Sequence, residues 1–185
     1  MWWFLCFALL LCLERQSSAF RITRSRGSVG MTKLDSTLIE ALEQDPNFST
    51  FASLLNGVPE LKSLLGDGNL GSASIFTVFA PNNAVFAKLD KQIMFKLGKR
   101  DNLPILRKVV RFHFVEEVLS RDDIAELKEM STLALLPVSV KPGAGGKGFK
   151  LNEASVTRTF DTCENGIIHE VDGLVSPFLL FRFLV

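Results

Sequence analysis

Apolar residues recur along the chain in short blocks, and their spacing changes near Met130. Before that point they fall three and four positions apart, as on one face of a helix; after it they form short runs and alternations that suit strands. Thr37 and Glu40 are spaced as a capping box, so a helix is predicted over 37–44. Asp45-Pro46 reads as a cap followed by proline at a first helical position. Phe48, Phe51, Ala52, Leu54 and Leu55 mark one face of a second helix, which Gly57 ends. Pro59 to Leu65 gives a further helical piece closed by Gly66, and Gly66 to Ser74 reads as a loop. Ile75 to Ala80 is rich in β-branched and aromatic residues and reads as a strand stopped by Pro81. Helical pieces follow over 84–89 and 91–97, then over 103–112 with Asp101 as cap. Another helix starts at Ser120, with Ile124, Leu127 and Met130 on its apolar side. Strands are expected over 133–140, 148–152, 155–160 and 166–171, with Pro142 to Gly148 as a Gly-rich turn. Helices first and strands later, with one early strand, is an α+β order rather than an alternating one.

The ends differ from this pattern. Trp2 to Leu13 is an unbroken apolar run, shorter than the roughly 20 residues that a spanning helix needs. Small residues at Ser17 and Ala19 place a secretory cleavage after Ala19. Residues 1–19 are therefore expected to be a signal peptide. Residues 20–34 carry Arg21, Arg24, Arg26 and Lys33 with hydroxyl residues between them and no acid. They read as a basic linker or as a transit peptide. The domain is expected over 35–177. Residues 178–185 form an apolar extension interrupted by Arg182, too short to span a bilayer. It is expected to pack on the domain as a final strand or flap, burying Phe178, Leu180 and Phe183. A membrane contact through it is the lesser reading.

Composition narrows the choice of function. The 185 residues include 47% hydrophobic and 22% charged residues, so a packed core is expected. The formal net charge is +1, which argues against a nucleic-acid binder working through bulk electrostatics. Five of the 21 Lys and Arg but only one of the 20 Asp and Glu precede Asp35, so the domain itself is net acidic. Its charge is segregated: Lys88 to Arg111 is mainly basic, and Glu116 to Glu129 mainly acidic. Solvated helix faces account for such runs; a bipolar docking surface is the sharper reading. Two of the three Cys lie in the leader, which leaves Cys163 and no disulfide framework.

Ile75-Phe-Thr-Val-Phe-Ala-Pro-Asn-Asn-Ala-Val-Phe-Ala-Lys-Leu89 and Asn165-Gly-Ile-Ile-His-Glu-Val-Asp-Gly-Leu-Val-Ser-Pro177 resemble the two signatures of fasciclin-like domains, in that family's order and separation. Val110-Arg-Phe-His-Phe-Val115 resembles its central Tyr-His segment, and Asp45-Pro-Asn-Phe-Ser-Thr-Phe51 its opening. The resemblance implies a single domain, a compact β-strand wedge with helices packed around it. It also implies cell adhesion and contact with matrix proteins or polysaccharides, commonly outside the cell. The adhesion elements of the animal matrix members are changed here. Phe112 replaces the Tyr of the Tyr-His pair, and Asp161-Thr162 stands where an Asp-Ile pair is expected. Ser18-Ala19-Phe20-Arg21 resembles the two-part plastid leader of diatoms and related algae.

The chemistry-bearing residues are sparse. His113 and His169 are the only histidines. His169 alternates with Ile167 and Val171 along a predicted strand, so a hydrogen-bonded core role is expected. No spacing unites Cys163 with a histidine as a nucleophile pair, and ligands for a zinc site are too few. Gly143, Gly145 and Gly148 spell G-x-G-x-x-G, but a strand rather than a helix follows, so a hairpin loop is expected. Asn47-Phe48-Ser49 is a glycosylation sequon if the chain enters the secretory pathway. The expectation is a non-catalytic adhesion or interaction module without cofactor or metal. Its contact surface is expected at His113, Val115, Glu116 and Glu117, facing a protein or polysaccharide and not nucleic acid. The expected destination is the extracellular space or cell surface. The alternative is a plastid-targeted protein with an assembly or small-molecule-binding role.

Overall fold

In the computed structural model, which describes residues 36–66, 75–143 and 148–185, local capping chemistry places most of the helices. The side chains of Phe160, Asp161, Thr162 and Phe178 are left aside. The predicted leader segments 1–19 and 20–34, most of the loop after Gly66, the tip of the Gly-rich turn around Gly145, and the side chains of the Asp161-Thr162 pair lie outside the described residues.

Helix α1 (Leu38–Gln44) opens on Thr37, whose hydroxyl accepts from the Glu40 N–H while the Glu40 carboxylate accepts from the Thr37 N–H. Asp45 caps a 3-10 turn over Pro46–Phe48, and α2 (Ser49–Asn56) and α3 (Pro59–Gly66) follow. Asn82 caps α4 (Asn83–Ala87) and Asp90 caps α5 (Lys91–Leu97). A 3-10 turn at Arg100–Asn102 leads into α6 (Leu103–Arg111). Asp101 therefore sits inside that turn and does not cap α6, whose cap position is Asn102. Ser120 and Asp123 form a second capping box at the start of α7 (Arg121–Glu126). This helix stops before the predicted Met130, which lies instead in a strand.

The strands are β1 (Phe76–Pro81), β2 (Phe114–Val115), β3 (Glu129–Ser131), β4 (Pro137–Pro142), β5 (Phe149–Leu151), β6 (Ala154–Cys163) and β7 (Gly166–Val171). They form one sheet in the order β2-β1-β7-β6-β5-β4-β3. All pairings are antiparallel except β1 with β7, which run parallel with Phe79 opposite His169. The Leu133 N–H donates to the Phe114 carbonyl, so the turn after β3 reaches back to β2 and nearly closes the sheet into a wedge. The expected strand start at Leu133 is wrong. Residues 132–136 form a turn, and β4 begins only at Pro137.

β1 is buried on both faces and feeds two cores by the two-residue period of a strand. Phe76, Val78 and Ala80 pack with Leu38, Leu42, Phe51, Leu55, Leu106 and Ile168 beneath the helices. Phe79 points the other way, into the wedge, with Phe112, Val138, Leu151, Val156 and Val171. The parallel β1–β7 contact depends on Gly166. A Cβ there would collide with the Phe76 carbonyl oxygen, and its φ of +154° is one that side-chain-bearing residues rarely adopt. The adjacent Asn165 accepts from the Leu38 N–H at 2.8 Å and donates to the Leu65 carbonyl, anchoring α1 and α3 to the β6–β7 turn.

The final segment is a 3-10 helix over Phe178–Phe183, not a strand. With three residues per turn, one row carries Phe181 and Leu184, both buried against the helical core. Leu180 is half-buried, but Phe183 faces solvent, contrary to the expectation that it packs inside. Buried Asn102 clamps the end: its amide donates to the carbonyls of Lys96 and Val185 and accepts from the Val185 N–H, at 2.9 to 3.0 Å. Deleting residues 178–185 should therefore cost about 3–6 kcal/mol, from two lost apolar burials at about 1.5–3 kcal/mol each. Urea unfolding of the full and shortened chains measures this, and matching midpoints would contradict it.

Candidate functional site

Segment 116–119 links β2 to α7 and carries the exposed acidic pair Glu116 and Glu117. It has no helix or strand of its own, so side chains of the sheet hold its backbone. The Thr77 hydroxyl, buried on β1, donates to the Glu117 carbonyl at 2.6 Å and accepts from the Leu119 N–H at 2.8 Å. His169 on β7 reaches the Leu119 carbonyl with Nε2 at 2.8 Å. Its Nδ1 lies 3.0 Å from the Thr159 hydroxyl, and its ring stacks on Phe79 with centroids 5.5 Å apart. A carbonyl only accepts, so Nε2 carries the proton and Nδ1 accepts from Thr159. The expected core role of His169 matches its full burial and these two bonds.

His113 is also buried, and so is Val115. His113 is therefore turned away from the expected contact surface, whereas Val115, though buried, still borders the groove beside Glu116 and Glu117. His113 follows α6 and turns inward: Nδ1 lies 2.9 Å from the Val109 carbonyl, and Nε2 accepts from the Val175 N–H at 3.3 Å. The ring is therefore neutral with its proton on Nδ1, and it ties the end of α6 to the segment after β7. Burial holds the His113 imidazole down at about 4, partly opposed by its bond to Val109. Burial also lowers His169, against the opposing Leu119 bond and with a small further lowering from Arg121. In each ring both nitrogens are committed to the fold.

Of the four expected surface residues, only Glu116 and Glu117 expose their side chains. They border a groove of about 290 Å³ whose far wall is the β3–β4 turn, including Thr132, Leu133 and Leu135. This turn is tightly held. Thr132 donates through both its N–H and its hydroxyl to the Leu136 carbonyl, and the Leu135 N–H donates back to Thr132. The closure forces Leu135 to a φ of +58°, where a side-chain-bearing residue pays about 1–2 kcal/mol. Leu135 is nevertheless 89% exposed, so none of the described residues covers it. On the other side of the same turn, Ala134 borders a smaller groove of about 200 Å³ with Arg107, Lys108 and Arg111. Arg107 is paired with Glu60 at 2.7 Å. Glu116, Glu117, Lys108 and Arg111 make no side-chain ion pair among the described residues. The opposed charges read from the sequence thus meet at one rigid turn.

Sequence reasoning missed two parts of this site. Thr77 sits in an apolar strand on the Phe79 face, and period two alone shows that its hydroxyl must find a buried partner. Leu133 to Leu136 offered no turn residue, and only the closure by Thr132 reveals the turn. Elsewhere, Asn47 is exposed on its 3-10 turn, with its amide donating to Asp45 at 3.0 Å. A cleft of about 580 Å³ lies between α4, the β5–β6 turn and the segment after β7. Asn152 in its wall is spent on Ser139 and Val175. Among the described residues no group of three His, Cys, Asp or Glu side chains is placed to hold a metal.

The family model of the fasciclin domain matches residues 46–177. Protein sll1735 of Synechocystis sp. is 26% identical over 138 residues, covering 75% of this chain and 96% of its own length. Protein sll1483 of the same organism is 28% identical over 143 residues, 76% of this chain and 73% of its own. The pig transforming growth factor-beta-induced protein ig-h3 is 25% identical over 179 residues, but these are only 24% of that protein. Among solved structures, a FAS1 domain pair from the insect cell adhesion molecule Fasciclin I superposes with a TM-score of 0.65 at 20% identity. The match covers 82% of this chain and 53% of that one, and it shows the shared fold.

The two imidazoles generate a pH dependence. A folded-state value near 4 against an ordinary 6.5 means that the unfolded chain takes up protons that the folded chain refuses. The stability contributed by neutral His113 is complete above pH 6.5 and is lost as pH falls towards 4; His169 acts in the same direction. His113 alone should account for roughly 3 kcal/mol across that window. Urea unfolding at several pH values should show this slope and a shallower one for His113→Gln. A wild-type midpoint that does not move between pH 7 and 4.5 would contradict it.

Proposed function

The chain belongs to the fasciclin domain family, and we propose on that premise that it is a non-catalytic interaction module. It works by contact with a protein or polysaccharide partner at the junction of segment 116–119 and the β3–β4 turn. The observation that carries this reading is Leu135: a large apolar side chain held outward at a backbone cost, between an acidic and a basic pair that make no ion pair among the described residues. Cost without internal return points to a role outside the monomer. The committed histidines support contact rather than turnover, because neither ring keeps a free nitrogen for a substrate. The insect relative is a cell adhesion molecule, which supports an adhesive role for this chain also. Entry to the secretory pathway through residues 1–19 belongs to the same reading, with plastid delivery through residues 20–34 as the alternative.

The test is capture by the immobilised protein, from cell extract and from solutions of matrix polysaccharides. Wild type is compared with Glu116→Lys/Glu117→Lys and with Leu135→Asn, Asn being tolerant of the left-handed backbone. Each variant should keep the wild-type melting temperature and lose about tenfold in partner recovery, the scale of one or two surface charge pairs. Equal recovery by all three proteins would discard this surface. Turnover that depends on His113 in a hydrolase screen would overturn the contact reading itself.

A further inference from the structure

We propose that the face shared by α5 and residues 178–185 is a peripheral docking site for an anionic lipid bilayer. The face is separate from the β3–β4 turn and rests on different residues.

The 3-10 geometry of the last segment splits it into rows. Phe181 and Leu184 go into the core, whereas Leu179, Arg182 and Val185 form an outward row and Phe183 stands beside it. Leu179 is 58% exposed, Phe183 64% and Val185 79%. Phe95 of α5 is 73% exposed. The two elements are neighbours: Lys96 reaches the Leu184 carbonyl at 3.5 Å, and Asn102 bridges Lys96 to Val185. Four large apolar side chains thus project from one region, whereas a scattered single exposed residue would need no explanation.

The charges around them select the occupant. Lys91, Lys99, Arg100 and Arg182 are exposed, and Lys96 is half-exposed. The Lys99 ammonium lies over the Phe95 ring, 5.6 Å from its centroid. The carboxylates on the same elements are Asp90, which is engaged in capping α5, and Asp101. Long cationic side chains around protruding Phe, Leu and Val are the composition of a surface that lies in the headgroup region. There the apolar tips enter the acyl boundary and the cations meet lipid phosphates and carboxylates. Among the described residues no helix is long and apolar enough to cross a membrane. Neutral lipid would satisfy the apolar tips but leave the cations unmatched. An anionic leaflet satisfies both.

The test uses the full chain with vesicles of phosphatidylcholine alone and of phosphatidylcholine with phosphatidylserine. Benzoylphenylalanine is placed singly at Phe95, Phe183 or Leu135, and illumination then cross-links it to whatever it touches. Positions 95 and 183 should form lipid adducts with the anionic vesicles and at least about tenfold fewer with neutral ones. Position 135, more exposed still, should form few with either. Raising salt to 1 M, where the screening length falls to about 3 Å, should reduce the adducts at both positions. Lys99→Glu/Arg100→Glu should do the same, while Glu116→Lys/Glu117→Lys should not. Because the readout is site-resolved, binding by any other part of the chain cannot imitate it. Absence of adducts at 95 and 183, or equal yields from neutral and anionic vesicles, would overturn the proposal. So would adducts between protein chains in place of lipid, which would make the face a protein interface.

Discussion

Segment 116–119 has no helix or strand of its own, yet its backbone lies against the inside of the wedge. Its polar groups must therefore be met by side chains, because a buried carbonyl or N–H left unmet costs about as much as a lost hydrogen bond. Thr77 and His169 meet them, from the two parallel strands β1 and β7. His113 performs the same service for the Val175 N–H in the segment after β7. These bonds require both imidazoles to be neutral and each to hold its proton on one particular nitrogen. A charged ring would lose an acceptor and carry a charge into an apolar core. The acidic pair at the surface is thus positioned by residues that never reach solvent.

The same two strands explain why the wedge can be built at all. β1 and β7 are distant in sequence and run parallel, so everything between them must leave and return. Gly166 permits the close approach, and Asn165 beside it fastens the helical layer to the turn. Asn82 caps α4 and donates to Glu170 of β7 at 2.8 Å, which joins the two signature segments directly. The two motifs visible in the sequence are therefore the two halves of one structural joint.

That joint was legible because its residues are locally distinctive: a capping box at Thr37, a helix start at Ser120, a Pro-terminated strand, and a strand with an inward histidine. The fold class followed from the change of apolar period. What stayed hidden depended on distant partners. The sequence near His113 does not show that it turns inward, since one of the two bonds that fix its ring comes from distant Val175. Leu133 to Leu136 has the apolar content of a strand, and only Thr132 and the Phe114 carbonyl make it a turn. Residues 178–185 read as a strand or flap that buries Phe178, Leu180 and Phe183; the three-residue turn instead buries Phe181 and Leu184 and leaves Phe183 in solvent. Glu116 and Glu117 are exposed as expected and Val115 borders their groove from a buried position, while His113 faces the core.

The central claim is that both imidazoles are neutral structural links that hold the contact surface from within. Nitrogen-15 NMR of the two rings, followed from neutral pH down to around pH 5, observes this directly. The account predicts a proton on Nδ1 of His113 and on Nε2 of His169, with neither ring titrating at its ordinary value of about 6.5. A ring that gains its second proton near 6.5, or that holds the opposite tautomer, would contradict it.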